Sequence, residues 1–126
     1  MAGKVLNWSN KDTIITTPLT FLASINSIIY SGAKPELVDI DKKTYTIDIN
    51  KLEHKLKDYK KKNKRISAVI AVDYAGHPCD WNGLKYLKGK YSFKLINDNC
   101  HAMGSKYFNS YKYAVNYADL VTHSYH

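Results

Sequence analysis

Two short apolar runs constrain most strongly how this chain can fold. Residues 66–72 read Ile-Ser-Ala-Val-Ile-Ala-Val and residues 93–96 read Phe-Lys-Leu-Ile, and each run gives way to polar residues. A nearly continuous apolar run of this length is typical of a strand that is covered on both faces, as in the middle of a parallel sheet. The two runs therefore predict central strands of a sheet that lies between helices.

Helix and strand patterns alternate along the rest of the chain. Short apolar or β-branched runs predict strands, and apolar residues at three- and four-residue spacing predict helices between them. Asp48 and Asp80 stand where a carboxylate caps a first helical turn, and Leu84 and Leu87 are predicted to be buried. The predicted strands are residues 13–17, 35–40, 66–72, 93–96 and 119–122, with helices over 19–30, after Asp48 and after Asp80, and a tyrosine-rich link over 107–117. This order predicts one α/β domain with a mostly parallel sheet flanked by helices.

Composition limits the classes of protein to consider. A chain of 126 residues with 44% hydrophobic residues is enough for one modest core. It contains no apolar run long enough for a membrane span, and its first residues lack the apolar segment of a secretory signal, which indicates a cytoplasmic protein. Cys79 and Cys100 are expected to be reduced thiols in that compartment.

The net charge of +8 raises the question of nucleic-acid binding. Of the 19 lysines and arginines only Arg65 is an arginine, although arginine is the usual reader of phosphates and base edges. Much of the charge lies within residues 55–65, as on the solvated face of a helix. The sequence therefore predicts no nucleic-acid partner and no membrane partner.

Six side chains of chemical interest follow the ends of predicted strands. Because the carboxyl ends of parallel strands meet at one edge of a sheet, where ligands bind, we expect these side chains to share that edge. They are Phe21, Asp73, His77, Asp98, His101 and Ser124.

Metal binding and cysteine catalysis are the first two interpretations of this edge. Imidazole and thiol groups occur at His77-x-Cys79, Cys100-His101 and His123-x-x-His126. None has the spacing of a recognised zinc motif, so no metal is predicted. Cys100 and His101 are a poor nucleophile and base pair, because adjacent residues usually point apart. Packing in the interior is the commoner role of a free cysteine.

A planar cationic cofactor is the third interpretation. A pyridinium ring needs a carboxylate at its nitrogen, an aromatic ring over its face, a donor at its oxygen and hydroxyl groups at its phosphate. Asp98, Phe21, His101 and Ser124 are candidates for these roles in that order. Phe21 also suits the core face of a helix, and Ser124 also suits a turn after a strand, so both alternatives remain open.

Five motifs in a fixed order favour the cofactor. The motifs are Ile-Thr-Thr-Pro-Leu-Thr-Phe at 15–21, Ser-Gly-Ala-Lys-Pro at 31–35 with Val-Asp-Ile-Asp at 38–41, Val-Asp-Tyr-Ala-Gly at 72–76, Asp-Asn-Cys-His-Ala-Met-Gly at 98–104 and Ser-Tyr-His at 124–126. Together they resemble the DegT/DnrJ/EryC1/StrS family of nucleotide-sugar aminotransferases. The resemblance implies pyridoxal 5′-phosphate as cofactor and the large domain of the aspartate aminotransferase (type I) fold.

The resemblance also implies roles for single residues. Phe21 matches the side chain stacked on the cofactor ring, and Asp98 matches the partner of the pyridine nitrogen. His101 stands where the family has a glutamine or histidine near the ring oxygen, and Ser124 matches a phosphate-contacting serine. Residues 73–76 match a loop on the substrate side of the pocket, with no assigned role.

The implied reaction is transfer of an amino group from glutamate to C4 of a UDP-linked 4-keto-6-deoxy amino sugar, for surface glycans such as pseudaminic acid. The implied enzyme is a homodimer that binds a nucleotide sugar and an amino-acid donor. Another 4-keto-sugar aminotransferase, of the perosamine type, is the alternative within the class. A non-catalytic remnant or an anion-binding α/β module is the alternative outside it.

One departure from the family pattern matters for activity. The Schiff-base lysine of the family lies a few residues past the position of His126, so no catalytic residue is assigned within the chain. We expect residues 1–126 to be the central part of the large domain, without the preceding segment, the lysine segment and the small C-terminal domain. Alone, such a piece is expected to be inactive and poorly soluble, because apolar surface is left uncovered.

Overall fold

The computed structural model describes residues 1–125 and contains a five-stranded parallel sheet with helices on both faces. The strands are β1 (Thr13–Thr16), β2 (Lys34–Leu37), β3 (Ala68–Val72), β4 (Lys94–Asp98) and β5 (Leu120–Thr122). The helices are α1 (Ala2–Val5), α2 (Leu22–Tyr30), α3 (Ile49–Lys61), α4 (Trp81–Tyr91) and α5 (Tyr113–Tyr117). The strand order is β2-β1-β3-β4-β5, and all four strand pairs are parallel. The predicted fold class is confirmed.

The sheet separates two apolar cores. Neighbouring residues of a strand point to opposite faces, so Ile14 packs with Ile28 of α2 while Ile15 packs with the helices of the other side. Helices α3, α4 and α5 cover that second face, where Leu52 and Leu84 are fully buried. Each central strand is thus covered on both sides, as its apolar sequence predicted.

Both predicted helix caps are present. One carboxylate oxygen of Asp48 accepts hydrogen bonds from the backbone N–H groups of Asn50 at 2.9 Å and Lys51 at 3.1 Å. Asp80 accepts in the same way from the N–H of Gly83 at 3.0 Å. These contacts satisfy donors that lack a partner in the first turn of a helix, so they define where α3 and α4 begin.

Several predicted boundaries differ from the structure. Helix α2 starts at Leu22 rather than at residue 19, and of the apolar residues predicted to form its stripe, Leu22, Ile25, Ile28 and Ile29, only Ile28 is buried. Strand β2 ends at Leu37 and lies at the edge of the sheet. An edge position suits Pro35, which has no N–H to donate to a neighbouring strand. The link over residues 107–117 contains α5, which its mixed polar and aromatic sequence did not reveal.

Several lysines of α3 and α4 are paired with acidic side chains. Lys51 lies 2.9 Å from Asp39, Lys55 lies 2.7 Å from Glu36, and Lys90 of α4 lies 2.8 Å from Glu53 of α3. These ion pairs are at or near the surface, where each contributes little to stability. They reduce the uncompensated positive charge of these helices, as expected for a solvated helix.

Among residues 1–125, no helix combines the length and the apolar character needed to cross a bilayer.

We predict that Asp48→Ala lowers the free energy of unfolding by about 1 kcal/mol, because two N–H groups lose their acceptor. Urea denaturation followed by circular dichroism measures the change. Asp58→Ala is the matched control, since it removes the same charge from α3 without removing a cap. Equal losses in the two variants would contradict the capping role.

Candidate functional site

A hollow of about 570 Å³ lies at the carboxyl edge of the sheet. Its lining comes from the segments that follow β1, β4 and β5 and from the end of β3. The lining residues are Thr20, Phe21, Ala23, Val72, Asp98, Cys100, His101 and Ser124. The structure therefore brings together all four side chains that the sequence suggested for a cofactor, although they are up to 103 positions apart in the chain (124 − 21).

The hollow lies where the order of the strands reverses. From β1 the chain passes to β2 on one side, and β3, β4 and β5 then follow on the other side. Loops leave β1 and β3 in opposite directions at such a point, which opens a crevice beyond their carboxyl ends. Strand order thus explains why Phe21 after β1 and Asp98 at the end of β4 face one space.

Asp98 is held in a defined orientation. Its Oδ2 accepts a hydrogen bond from the hydroxyl of Ser24 at 2.7 Å, and its Oδ1 accepts from the N–H of Cys100 at 3.3 Å. The Ser24 hydroxyl is also 2.8 Å from that of Thr20. These contacts come from α2 and from the loop after β4, so they fix the carboxylate against rotation.

His101 is fixed by the loop that follows β3. The backbone N–H of Ala75 donates to its Nδ1 at 3.3 Å, and its ring makes a T-shaped contact with the ring of Tyr74 at a centroid distance of 5.9 Å. Gly76 has φ +83°, and a Cβ there would lie 3.2 Å from the His101 carbonyl oxygen. Because Nδ1 accepts a hydrogen bond, the neutral imidazole carries its proton on Nε2 and can donate from that atom.

Phe21 and Ser124 complete the set. Phe21 immediately precedes α2 and 74% of its surface is exposed, so the alternative of core packing is wrong. Ser124 lies two residues after β5 and is half-buried. Tyr125 is exposed, and His126, which ends the last motif and the His123-x-x-His126 pair, lies outside the described residues.

Two of the six expected edge residues do not face the hollow. Asp73 is fully buried on the side of α4 and α5, because the alternation along β3 turns its side chain away from α2. His77 lines a separate hollow of about 420 Å³ beside Asp48 and Asp80. The sequence did not reveal that Thr20 and Ser24 hold Asp98. A small hydroxyl residue at the start of a helix can cap that helix or bind a distant carboxylate, and the local sequence is the same in both cases.

Cys100 is a poor candidate for a nucleophile. Burial, followed by its hydrogen bond with Asp98 and the negative charge of that carboxylate, raises the pKa of the Cys100 thiol to about 11. A thiol of this pKa stays protonated near neutral pH, whereas nucleophilic cysteines need a lowered pKa. Cys79 is fully buried and burial likewise raises its pKa. Within residues 1–125 no group of three or more potential ligands could hold a metal ion.

The hollow fits a phosphorylated pyridine ring in part. An anchored carboxylate, an exposed aromatic ring and an imidazole donor surround one space, which matches the nitrogen, face and oxygen of such a ring. The hydroxyl group of Ser124 suits a phosphate, whereas the one hydroxyl proton of Thr20 is directed at Ser24, because Ser24 donates its own proton to Asp98. No lysine or arginine is among the described lining residues, so charge neutralisation of the phosphate is weak there.

The fold is shared with solved structures that include aminotransferases. PseC of Helicobacter pylori, an aminotransferase involved in pseudaminic acid biosynthesis, superimposes with a TM-score of 0.80 at 32% identity, over 98% of this chain and 32% of that one. NtdA of Bacillus subtilis, solved with bound cofactor PMP, superimposes with a TM-score of 0.78 at 26% identity, over 94% of this chain and 25% of that one.

The chain belongs to the DegT/DnrJ/EryC1/StrS aminotransferase family, whose pattern matches residues 1–126. It is 34% identical over 125 residues to GDP-perosamine synthase of Escherichia coli O157:H7, covering 99% of this chain and 32% of that protein. It is 39% identical over 113 residues to a UDP-4-amino-4,6-dideoxy-N-acetyl-β-L-altrosamine transaminase of Campylobacter jejuni, covering 90% of this chain and 28% of that protein. The chain spans about a quarter to a third of the length of these relatives. The predicted family and its cofactor, pyridoxal 5′-phosphate, are confirmed.

We predict that the rate at which iodoacetamide alkylates Cys100 rises with pH and reaches half of its maximum near pH 11. Asp98→Asn lowers that midpoint because it removes a negative charge beside the thiol, although burial still holds the pKa above its ordinary value. Peptide mass spectrometry in a Cys79→Ala background measures the rate at Cys100 alone. A midpoint near 8.5, the ordinary value for a thiol, would contradict the described surroundings of Cys100.

Proposed function

We propose that this chain supplies the ring-binding part of an aminotransferase that moves an amino group onto a nucleotide-linked keto sugar. The convergence of Phe21, Asp98, His101 and Ser124 on one hollow carries the proposal, because these are the residues for which the resemblance of the sequence implies cofactor roles. Their roles are the part of the proposal that needs a direct test.

Asp98 is the partner of the pyridine nitrogen in this proposal. When bound, pyridoxal phosphate supplies an electron sink that stabilises negative charge on a substrate carbon. A carboxylate beside the ring nitrogen keeps that nitrogen protonated, because the opposite charge favours the cationic form. The anchors from Ser24 and Cys100 mean that Asp98 need not reorganise when the ring arrives.

The other three side chains orient the ring. Phe21 offers an exposed aromatic face for stacking, and the Nε2 proton of His101 is available for the ring oxygen. Ser124 contributes a hydroxyl on the phosphate side. No lysine lines the hollow within residues 1–125, so covalent attachment of the cofactor is assigned to none of the described lysines.

The proposed substrates are a UDP-linked 4-keto-6-deoxy amino sugar and glutamate, used in the cytoplasm by a homodimer for surface-glycan synthesis. The likeness to the altrosamine transaminase and to PseC supports the UDP sugar. The likeness to GDP-perosamine synthase over nearly the whole chain supports a GDP-linked 4-keto sugar as the second candidate.

We predict that the protein binds pyridoxamine 5′-phosphate (PMP) and that Phe21→Ala and Asp98→Ala each weaken binding about tenfold, since each loses one contact to the ring. PMP is the suitable probe because its amine cannot condense with the chain's many lysines, as an aldehyde would. Fluorescence titration measures the affinity.

Phe108→Ala and Asp58→Ala are the matched controls. Phe108 is 78% exposed but is not among the residues that line the hollow, and Asp58 is on α3. Both controls are expected to bind PMP as the unaltered protein does. If all four variants bind PMP alike, the assigned site is wrong.

Deletion of the gene separates the candidate substrates. We expect the cells to lose a UDP-linked 4-amino-6-deoxy sugar and to accumulate its 4-keto precursor, as measured by mass spectrometry of nucleotide sugars. Loss of a GDP-linked amine instead favours the perosamine-type reaction. An unchanged pool contradicts both and favours the non-catalytic remnant. A restored copy that carries Asp98→Ala is the control for the site.

A further inference from the structure

A buried carboxylate without a cationic partner lies directly behind the proposed ring site. Asp73 has no exposed surface, and none of the ion pairs among the described residues includes it. Burial of a charged group is costly unless hydrogen bonds replace its contacts with water. The environment of Asp73 therefore calls for a physical explanation.

Four donors converge on this carboxylate. Its Oδ1 accepts from the N–H of Cys79 at 2.9 Å. Its Oδ2 accepts from the Tyr113 hydroxyl at 2.7 Å and from the side-chain amides of Asn97 at 3.0 Å and Asn99 at 3.1 Å. The Asn99 amide also lies 2.9 Å from the Tyr113 hydroxyl. Burial and the neighbouring carboxylate raise the pKa of Tyr113, so its hydroxyl remains a donor across the working range of pH.

These contacts hold three consecutive residues. Asn97 and Asn99 flank Asp98, and the backbone N–H of Asp73 donates to the Asp98 carbonyl oxygen at 3.1 Å. Because side chains alternate along a strand, fixing Asn97 and Asn99 on one face of the sheet directs Asp98 to the other face, toward Ser24 and the hollow. Asp73 is therefore linked to the backbone of Asp98 and to both of its neighbours.

We propose that Asp73 is a positioning residue, which with Tyr113 holds the end of β4 so that Asp98 meets the ring nitrogen of the cofactor. This inference rests on the proposed function, since it needs Asp98 to contact that ring. Asp73 is not among the described residues that line the hollow, and it acts through residues 97–99.

The test uses Tyr113→Phe, which removes one donor from Asp73 and keeps the buried aromatic ring. Ser67→Ala is the matched control, because Ser67 also donates its hydroxyl to a carboxylate, that of Asp12, at 2.7 Å before the amino ends of β3 and β1. For each variant we would measure the melting temperature, the affinity for PMP, and the pH at which the ring nitrogen of bound, ¹⁵N-labelled PMP loses its proton.

We expect Tyr113→Phe to bind PMP about tenfold more weakly and to release the ring proton about one pH unit lower. Ser67→Ala is expected to match the unaltered protein in both measurements, even if the two variants lose equal thermal stability. Asn99→Ala, which removes a different donor to Asp73, carries the same test if Tyr113→Phe does not fold.

Two failures are distinguishable. A folded Tyr113→Phe variant with unaltered affinity and unaltered ring titration overturns the role of Asp73, while the ring site stands if Asp98→Ala still weakens binding. If Asp98→Ala has no effect on PMP binding, the proposed function fails and the inference about Asp73 fails with it.

Discussion

The pairing of β3 with β4 is the interaction on which the rest of the site depends. The two strands run parallel over five residue pairs, from Ala68 opposite Lys94 to Val72 opposite Asp98. The backbone hydrogen bond from Asp73 to Asp98 extends that register by one step. A shift of one residue would turn every side chain of β4 to the opposite face, and Asp98 would then face the second core rather than the hollow.

Side chains alternate between the two faces of the sheet along these strands, so adjacent residues can have different roles. Asp98 faces α2 and the hollow, while Asn97 and Asn99 face the helices of the other side and share the carboxylate of Asp73. The side that faces the hollow is partly open to solvent and suits a ligand. On the other side, the buried carboxylate of Asp73 accepts four hydrogen bonds, which makes that side rigid.

Much of the fold follows from local sequence. The apolar runs of β3 and β4, the caps at Asp48 and Asp80 and the buried leucines of α4 are set by residues close together in the chain, so their patterns can be recognised without tertiary contacts. Helix α5 and the exposure of Leu22 and Ile29 were not predictable in this way. Their outcome depends on which surfaces of the sheet are already covered, and that is a property of the packed molecule.

For the site, the sequence by itself determined the residue types and their positions after strands, and by resemblance it assigned Phe21, Asp98, His101 and Ser124 to one ring. Only the tertiary structure decided that these four share a hollow while Asp73 and His77 do not. The physical reason is that strand order and the two-residue alternation of a sheet together decide where a side chain points. The position of a side chain just past a strand depends on the register of that strand with its neighbours. The residues close to it in the sequence do not determine that register.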